Sequence, residues 1–324
     1  MGNSERLLLA TGEGIAVCER ISGNWQLAKR ELPESYVTSI AAYGSLILAG
    51  TQEGIFRSED GGDSWKAANE GLSIRYIRWL GIHPNDSQRV FAGSEPAGIF
   101  LSRDGGLSWE SRPEVVRLRE AQRWYLPYSP NAGCVRGFAF SDTRCYAAVE
   151  VGGALLSDDG GETWALSGAE RSASMNLHPD VHSIATHPEA AGLVAAPTGG
   201  GFYLSKDCGA TWENRYDNCY CRAMWWDAAD PDHMLLGVAE GVDRNGRIEE
   251  TFDGGLTWQE SATGLAVPWP RHMVERFFQF GDHLLAILSN GELLVTALES
   301  LTWRQLLREA GEMKAAAVIN KNEV

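Results

Sequence analysis

Short apolar runs alternate with glycines and polar turn residues along most of the chain. Residues 36–71 show the unit most clearly: YVTSIAAYG, SLILAGTQEG, IFRSEDGGDSW and KAANEG follow one another. Each piece carries a compact apolar stretch bounded by turn-forming residues, the pattern of a four-stranded antiparallel meander. The 36 glycines fit a chain of many turns and few long helices.

One phrase punctuates these meanders. SEDGGDSW (58–65) returns as SRDGGLSW (102–109), SDDGGETW (157–164), SKDCGATW (205–212) and TFDGGLTW (251–258). Its tryptophans, Trp65, Trp109, Trp164, Trp212 and Trp258, are spaced by 44, 55, 48 and 46 residues. Two worn copies extend the register: CERISGNW ends at Trp25 and TALESLTW at Trp303. Repeats of this length mark propellers or solenoids. The phrase falls at the turn between the third and fourth strands of each unit. Its Asp (Asp60, Asp104, Asp159, Asp207, Asp253) is suited to accept backbone N–H bonds across the turn. Its last glycine suits a left-handed conformation, its Ser or Thr ties the turn to itself, and its Trp packs between sheets. Every residue of the phrase has a building role.

Seven copies predict one all-β domain over residues 1–324, a seven-bladed β-propeller. The ends predict how the ring closes. Leu7–Ala10, Gly14–Cys18 and Trp25–Ala28 read as the second, third and fourth strands of a blade that lacks its first. Met313–Asn320 (MKAAAVIN) supplies that first strand from the other end of the chain. Pairing the two ends removes open sheet edges.

The phrase resembles the Asp box of sialidase-type and related BNR-repeat propellers. Five good copies and two degenerate ones cover essentially the whole chain. In that family the box lies on the face away from the active site, so the resemblance implies structural boxes and a site at the opposite end of the channel. In style the chain is nearest to the photosystem II stability/assembly-factor branch, non-catalytic scaffolds that carry an arginine-rich patch. Sialidases proper have six blades and an F/Y-R-I-P motif near the N-terminus. This chain predicts seven blades and has no such motif.

Composition narrows the partners. Formal net charge is −15 at pH 7, which argues against general affinity for nucleic acid. No apolar run approaches the ~20 residues of a membrane-spanning helix. The N-terminal apolar run is too short for a secretory signal, so the expected location is the cytoplasm. The six cysteines (Cys18, Cys134, Cys145, Cys208, Cys219, Cys221) follow neither a disulfide nor a zinc-finger spacing. No cofactor is called for, and a monomer is expected.

Against that acidic background, one row of residues is basic. The inner strands align as VTSIA, IRWLG, VRGFA, VHSIA, CRAMW, VERFF and MKAAA, with first and fourth positions apolar. The second positions are Thr38, Arg78, Arg136, His182, Arg222, Glu275 and Lys314. In a propeller this row rings the channel mouth opposite the boxes. Converging guanidinium groups suit a carboxylate or phosphate. A row of internally paired channel residues, with Glu275 satisfying Arg222 or Lys314, is the alternative. The longest connection, between Trp109 and Cys134, predicts a short helix capped by Ser111 with Pro113 in its first turn. It brings Arg123, Trp124, Tyr125 and Tyr128, either as a lid over the mouth or as a decoration packed on its own blade. The segment AVPWPRHM adds Arg271 and His272. His178, Asp180 and His182 have ligand chemistry, but a strand start is the wrong place for an HxxxH metal pair. The mouth cysteines read as redox-active or as buried structural thiols.

Two functions follow from different classes. One is a non-catalytic binding or assembly scaffold whose cationic mouth grips an acidic peptide or a small anion. The other is a glycosidase or lyase acting on an anionic sugar, with Arg78, Arg136 and Arg222 holding its carboxylate. The resemblance supplies no residue that completes a catalytic set.

Overall fold

A computed structural model describes residues 5–126, 132–142, 144–168, 177–307 and 310–320. They form seven four-stranded antiparallel sheets arranged as the blades of a propeller. The inner strands start at Met313, Val37, Ile77, Cys134, Ala185, Tyr220 and Val274, and neighbouring blades adjoin around the ring. The expected closure is present. Met313–Asn320 pairs antiparallel with Glu5–Thr11, which pairs in turn with Gly14–Ile21.

Seven apolar clusters hold the ring together, one in each seam between blades. Each seam contains one repeat tryptophan: Trp25, Trp65, Trp109, Trp164, Trp212, Trp258 and Trp303 each pack in a different cluster. Trp303, of a worn copy, is only 2% exposed. The repeated phrase forms the third-to-fourth strand turn in the way its residues predict. In the first good copy Asp60 Oδ1 accepts from the amides of Asp63 (3.0 Å) and Ser64 (2.9 Å), and Ser64 Oγ donates to Oδ2 at 2.5 Å. Ser58 Oγ donates to Asp60 Oδ1 and accepts from the Gly62 amide. Gly62 sits at φ +85°, where a side chain would be strained. Asp104, Asp159, Asp207 and Asp253 make the corresponding Ser or Thr bonds in their own turns. The Thr257 hydroxyl and amide hold Asp253 down at about 2.

The inner strands carry a feature that simple alternation does not predict. In the second blade Val37 pairs with Thr51 and Ser39 with Gly50, so Thr38 is an extra residue facing no partner. The same bulge leaves out Arg78, Arg136, Arg222 and Glu275 in their blades, and Lys314 on the closing strand. In the fifth blade Val181 pairs with Thr198 and Ala185 with Ala195, which is out of step by the same one residue around His182. One inserted residue inverts the alternation on either side of it. First and fourth positions therefore share a face, and in all seven blades both pack into the preceding blade, as Ile77 and Leu80 do against Leu48 and Ile55. The bulge frees the second position from the ladder and aims it at the channel mouth.

The connection after Trp109 differs from expectation in detail. Its helix spans Pro113–Gln122, but its N-cap is Arg112, with no side-chain cap, because Ser111 still belongs to the fourth strand of its blade. Val115 and Trp124 are buried in the seam between the third and fourth blades.

Candidate functional site

The bulge residues do meet around the channel, and three of them form one cluster. Glu275 lies between two arginines: Arg136 Nη2 donates to its Oε2 at 3.4 Å, and Arg222 Nη1 donates to its Oε1. Burial works to raise the Glu275 carboxyl, but Arg222 and Arg136 together hold it below its ordinary value. Arg136 also faces Glu150 at 3.4 Å, and Arg78 faces Glu95 at 3.1 Å. The expected Glu275–Arg222 pair exists, but the second partner is Arg136. Lys314 turns instead to Glu312, 3.4 Å away and just before the start of its own strand. Thr38 is closed into the wall, donating to the Gly50 carbonyl.

Two cavities meet at this cluster. An outer vestibule of about 210 Å³ is walled by Arg78, Arg136, Arg222, Arg276 and Lys314, with Tyr36, Tyr76 and Ser289 beside them. Glu275 is the only carboxylate on that wall among the described residues. Glu95 and Glu150 stand behind their arginines and do not line it. Below lies a chamber of about 290 Å³, lined mainly by apolar side chains. Arg136, Arg222, Glu275 and Arg276 line both spaces, so they form the partition.

Arg276 is the residue that sequence reading missed. It occupies the third position of VERFF, next to the aligned row. Its guanidinium carbon lies 4.0 Å from the ring centre of Trp79, the third residue of IRWLG, on a blade that does not adjoin its own. Its Nη2 donates to the Thr38 carbonyl at 3.4 Å. No carboxylate comes within salt-bridge distance of it among the described residues. Burial first, then Arg136, pushes this guanidinium below its ordinary value. The third-position row (Ser39, Trp79, Gly137, Ser183, Ala223, Arg276, Ala315) contains a single cation and a single large aromatic ring, and that pairing was the available signal.

A second missed pattern supports the row itself. Tyr76 and Tyr220 each stand two residues before a mouth arginine. Arg78 Nη1 donates to the Tyr76 hydroxyl at 2.6 Å, and Arg222 donates to the Tyr220 hydroxyl through Nε (3.2 Å) and Nη2 (3.1 Å). Both guanidinium groups also lie over their tyrosine rings, 5.2 and 5.4 Å from the centres. Such contacts fix the planar fork in position at little further entropic cost.

His182 is part of a neighbouring polar network. Its Nδ1 lies 2.7 Å from the Cys221 carbonyl, which only accepts, so Nδ1 carries a proton. Its Nε2 lies 3.2 Å from both the Tyr220 hydroxyl and Asp180 Oδ2. The donor atoms of Glu150, Asp180 and His182 lie within 4.8 Å of one another, while His178 is bound to the Asp180 amide and is not in the group. The Glu150 carboxylate is already engaged by Arg136 and by the Cys134 thiol at 3.1 Å. Burial pushes that thiol up to about 12, and it pushes Cys221 up as well. Cys134 and Cys221 are therefore buried thiols with little thiolate character, and Cys219 is buried beside Cys221.

The loop residues do not join the cluster. Trp124 is seam core, Arg123 ends the helix in a left-handed conformation, and Tyr125 is 57% exposed to solvent. None of the three lines either cavity, and Tyr128 lies outside the described residues. Arg271 and His272 also stand apart from both cavities, with His272 stacked on Trp269.

No family model matches the chain, and no curated protein sequence matches it. Solved structures do. A GH74 xyloglucanase from Xanthomonas campestris superposes with a TM-score of 0.63 at 16% identity, over 95% of this chain and 47% of that one. YCF48 bound to a D1 peptide gives 0.60 at 15% identity, over 88% and 85%. YCF48 from Cyanidioschyzon merolae gives 0.60 at 14% identity, over 92% and 96%. The chain spans less than half the length of the GH74 enzymes it matches. At these identities the likeness establishes the fold, a seven-bladed β-propeller.

Proposed function

We propose that this propeller is a non-catalytic binding protein, an assembly scaffold that receives an acidic peptide segment or small anion in the vestibule. One observation carries the reading: five cationic side chains face that space with a single carboxylate among them, in a chain of net charge −15. Arg78 and Arg222 are held on tyrosines with their planes fixed, which suits bidentate recognition of a carboxylate. The near end-to-end match with YCF48, one form of which was solved with a peptide bound, agrees with a peptide partner. The match with GH74 enzymes covers less than half of those proteins and is the weaker support. A hydrolase or lyase would also need a carboxyl group poised to give up or take a proton. The carboxyl at the centre of this mouth, Glu275, is instead pinned in its ionised form by two arginines.

The test is calorimetric titration with acidic peptides, uronic acids and phosphate, beside a hydrolysis assay on anionic glycosides. Binding without turnover is expected, weakening as salt rises. Glycoside cleavage that survives purification and is lost in Glu275→Gln overturns the reading.

A further inference from the structure

The chamber beneath the arginine layer is unlike the vestibule above it. Ile40, Leu80, Ile184, Met224 and Phe277 are among the apolar side chains of its wall. Two hydroxyls there, Ser39 Oγ and Ser183 Oγ, are buried and make no hydrogen bond among the described residues. Ser39 is 2% exposed. At the chamber's roof lies Arg276, bedded on Trp79, with the Glu275 charge nearby but no carboxylate within salt-bridge distance among the described residues. Cations withdrawn from solvent are ordinarily paired, and Arg276 is half-buried. Here the pairing position opens onto an apolar hollow.

We infer that the partition and chamber form a site for an amphipathic carboxylate, whose head sits on Arg276 and whose apolar tail fills the chamber. This rests on the anion-binding reading above and narrows it. For a peptide partner, the ligand is a C-terminal residue with a large apolar side chain, its α-carboxylate on Arg276 and its upstream acidic residues in the vestibule. Electrostatics agree: the Arg276 cation is disfavoured by burial and by Arg136, and an anion there relieves both.

Linear alkyl carboxylates from butanoate to decanoate, titrated into the full chain by calorimetry, are the probe. A tail entering the chamber raises affinity about fourfold per methylene until the chamber is full. Ser183→Leu, which fills the chamber, should abolish the length dependence, and Arg276→Gln should weaken every member of the series. Peptides ending in Leu or Phe, compared with the same peptides amidated or ending in Gly, distinguish a C-terminal residue from a free fatty acid. Melting curves of both variants establish that they fold. An acidic peptide that binds with no preference for its last residue, while alkyl carboxylates show no length dependence, overturns this inference and leaves the vestibule reading standing. No binding by either class overturns both.

Discussion

The two faces of the ring use the same sevenfold repeat in opposite ways. On one face each turn closes on itself. Ser58, Asp60 and Ser64 satisfy one another within eight residues, and four further turns repeat the arrangement with nearly the same residues. On the other face a bulge recurs in every blade, but the residue it presents varies: arginine in three blades, and threonine, histidine, glutamate and lysine in the others. Arg136 of the fourth blade and Arg222 of the sixth meet Glu275 of the seventh, and Arg276 reaches across the channel to Trp79 of the third. Where the interactions are local, one solution serves every blade and the chain repeats it. Where they cross the channel, each position has different neighbours and must differ. Repetition marks the building face, and divergence at a fixed position marks the face with a particular task.

The largest effect that tests this contrast removes what both faces share. Deleting residues 313–324 takes away the inner strand of the first blade, exposes the edge of Glu5–Thr11 and deprives the mouth of Lys314. The truncated chain should aggregate or lose cooperative melting. A cooperative transition at the wild-type temperature would show that the ring does not depend on its closure.

Breaking the mouth's central pair should come next. Glu275→Gln leaves Arg136 and Arg222 facing each other and should cost about 3–5 kcal/mol by chemical denaturation. The loss should be largest near neutral pH. The carboxyl is held below its ordinary value when folded, so its contribution is full above that value and fades as pH falls through the lowered one. Phosphate or sulfate should restore more stability to this variant than to wild type, because the anion replaces the missing carboxylate. Equal salt response in both proteins would mean that the arginine layer does not accept external anions.

The smallest effect belongs to a single turn. Asp159→Ala should cost about 1–3 kcal/mol, the hydrogen bonds from Thr163, Glu162 and Ser157 being lost together. Burial acts to raise the Asp159 carboxyl, but the Thr163 and Ser157 bonds outweigh it and hold the group at about 2. Wild type should therefore lose its advantage over the variant between about pH 4 and pH 2. A gap in stability that stays constant across that range would refute the hydrogen-bonded carboxylate as the source of the turn's stability.

This contrast also explains what the amino-acid order reveals. The repeated phrase, the blade count and the closing strand are legible because turns and meanders are local: DGGxSW implies its own hydrogen bonds. The row of mouth residues is legible as a column, since the blades align. Of its pairings only Glu275 with Arg222 was anticipated; Glu95 and Glu150 reach their arginines, and Glu275 reaches Arg136, through strand register and ring geometry. The bulge left a trace in the apolar first and fourth positions, a spacing of three that a regular strand does not give. Arg276 went unseen because its partner Trp79 is nearly two hundred residues away, on a blade that does not adjoin its own. The helix after Trp109 was placed correctly but began one residue later, since pairing of Glu110–Ser111 with the third strand of its blade takes Ser111 away from the cap.

The most direct test sets one residue of each face side by side. An acidic peptide is titrated by calorimetry into wild type, Arg78→Ala and Asp253→Ala, at a temperature where all three are folded. Losing one charge-assisted arginine contact should weaken binding about ten- to a hundredfold, whereas the turn variant should bind like wild type. Equal affinity in wild type and Arg78→Ala, or loss of binding in the folded Asp253→Ala, would contradict the assignment of recognition to the mouth and construction to the turns.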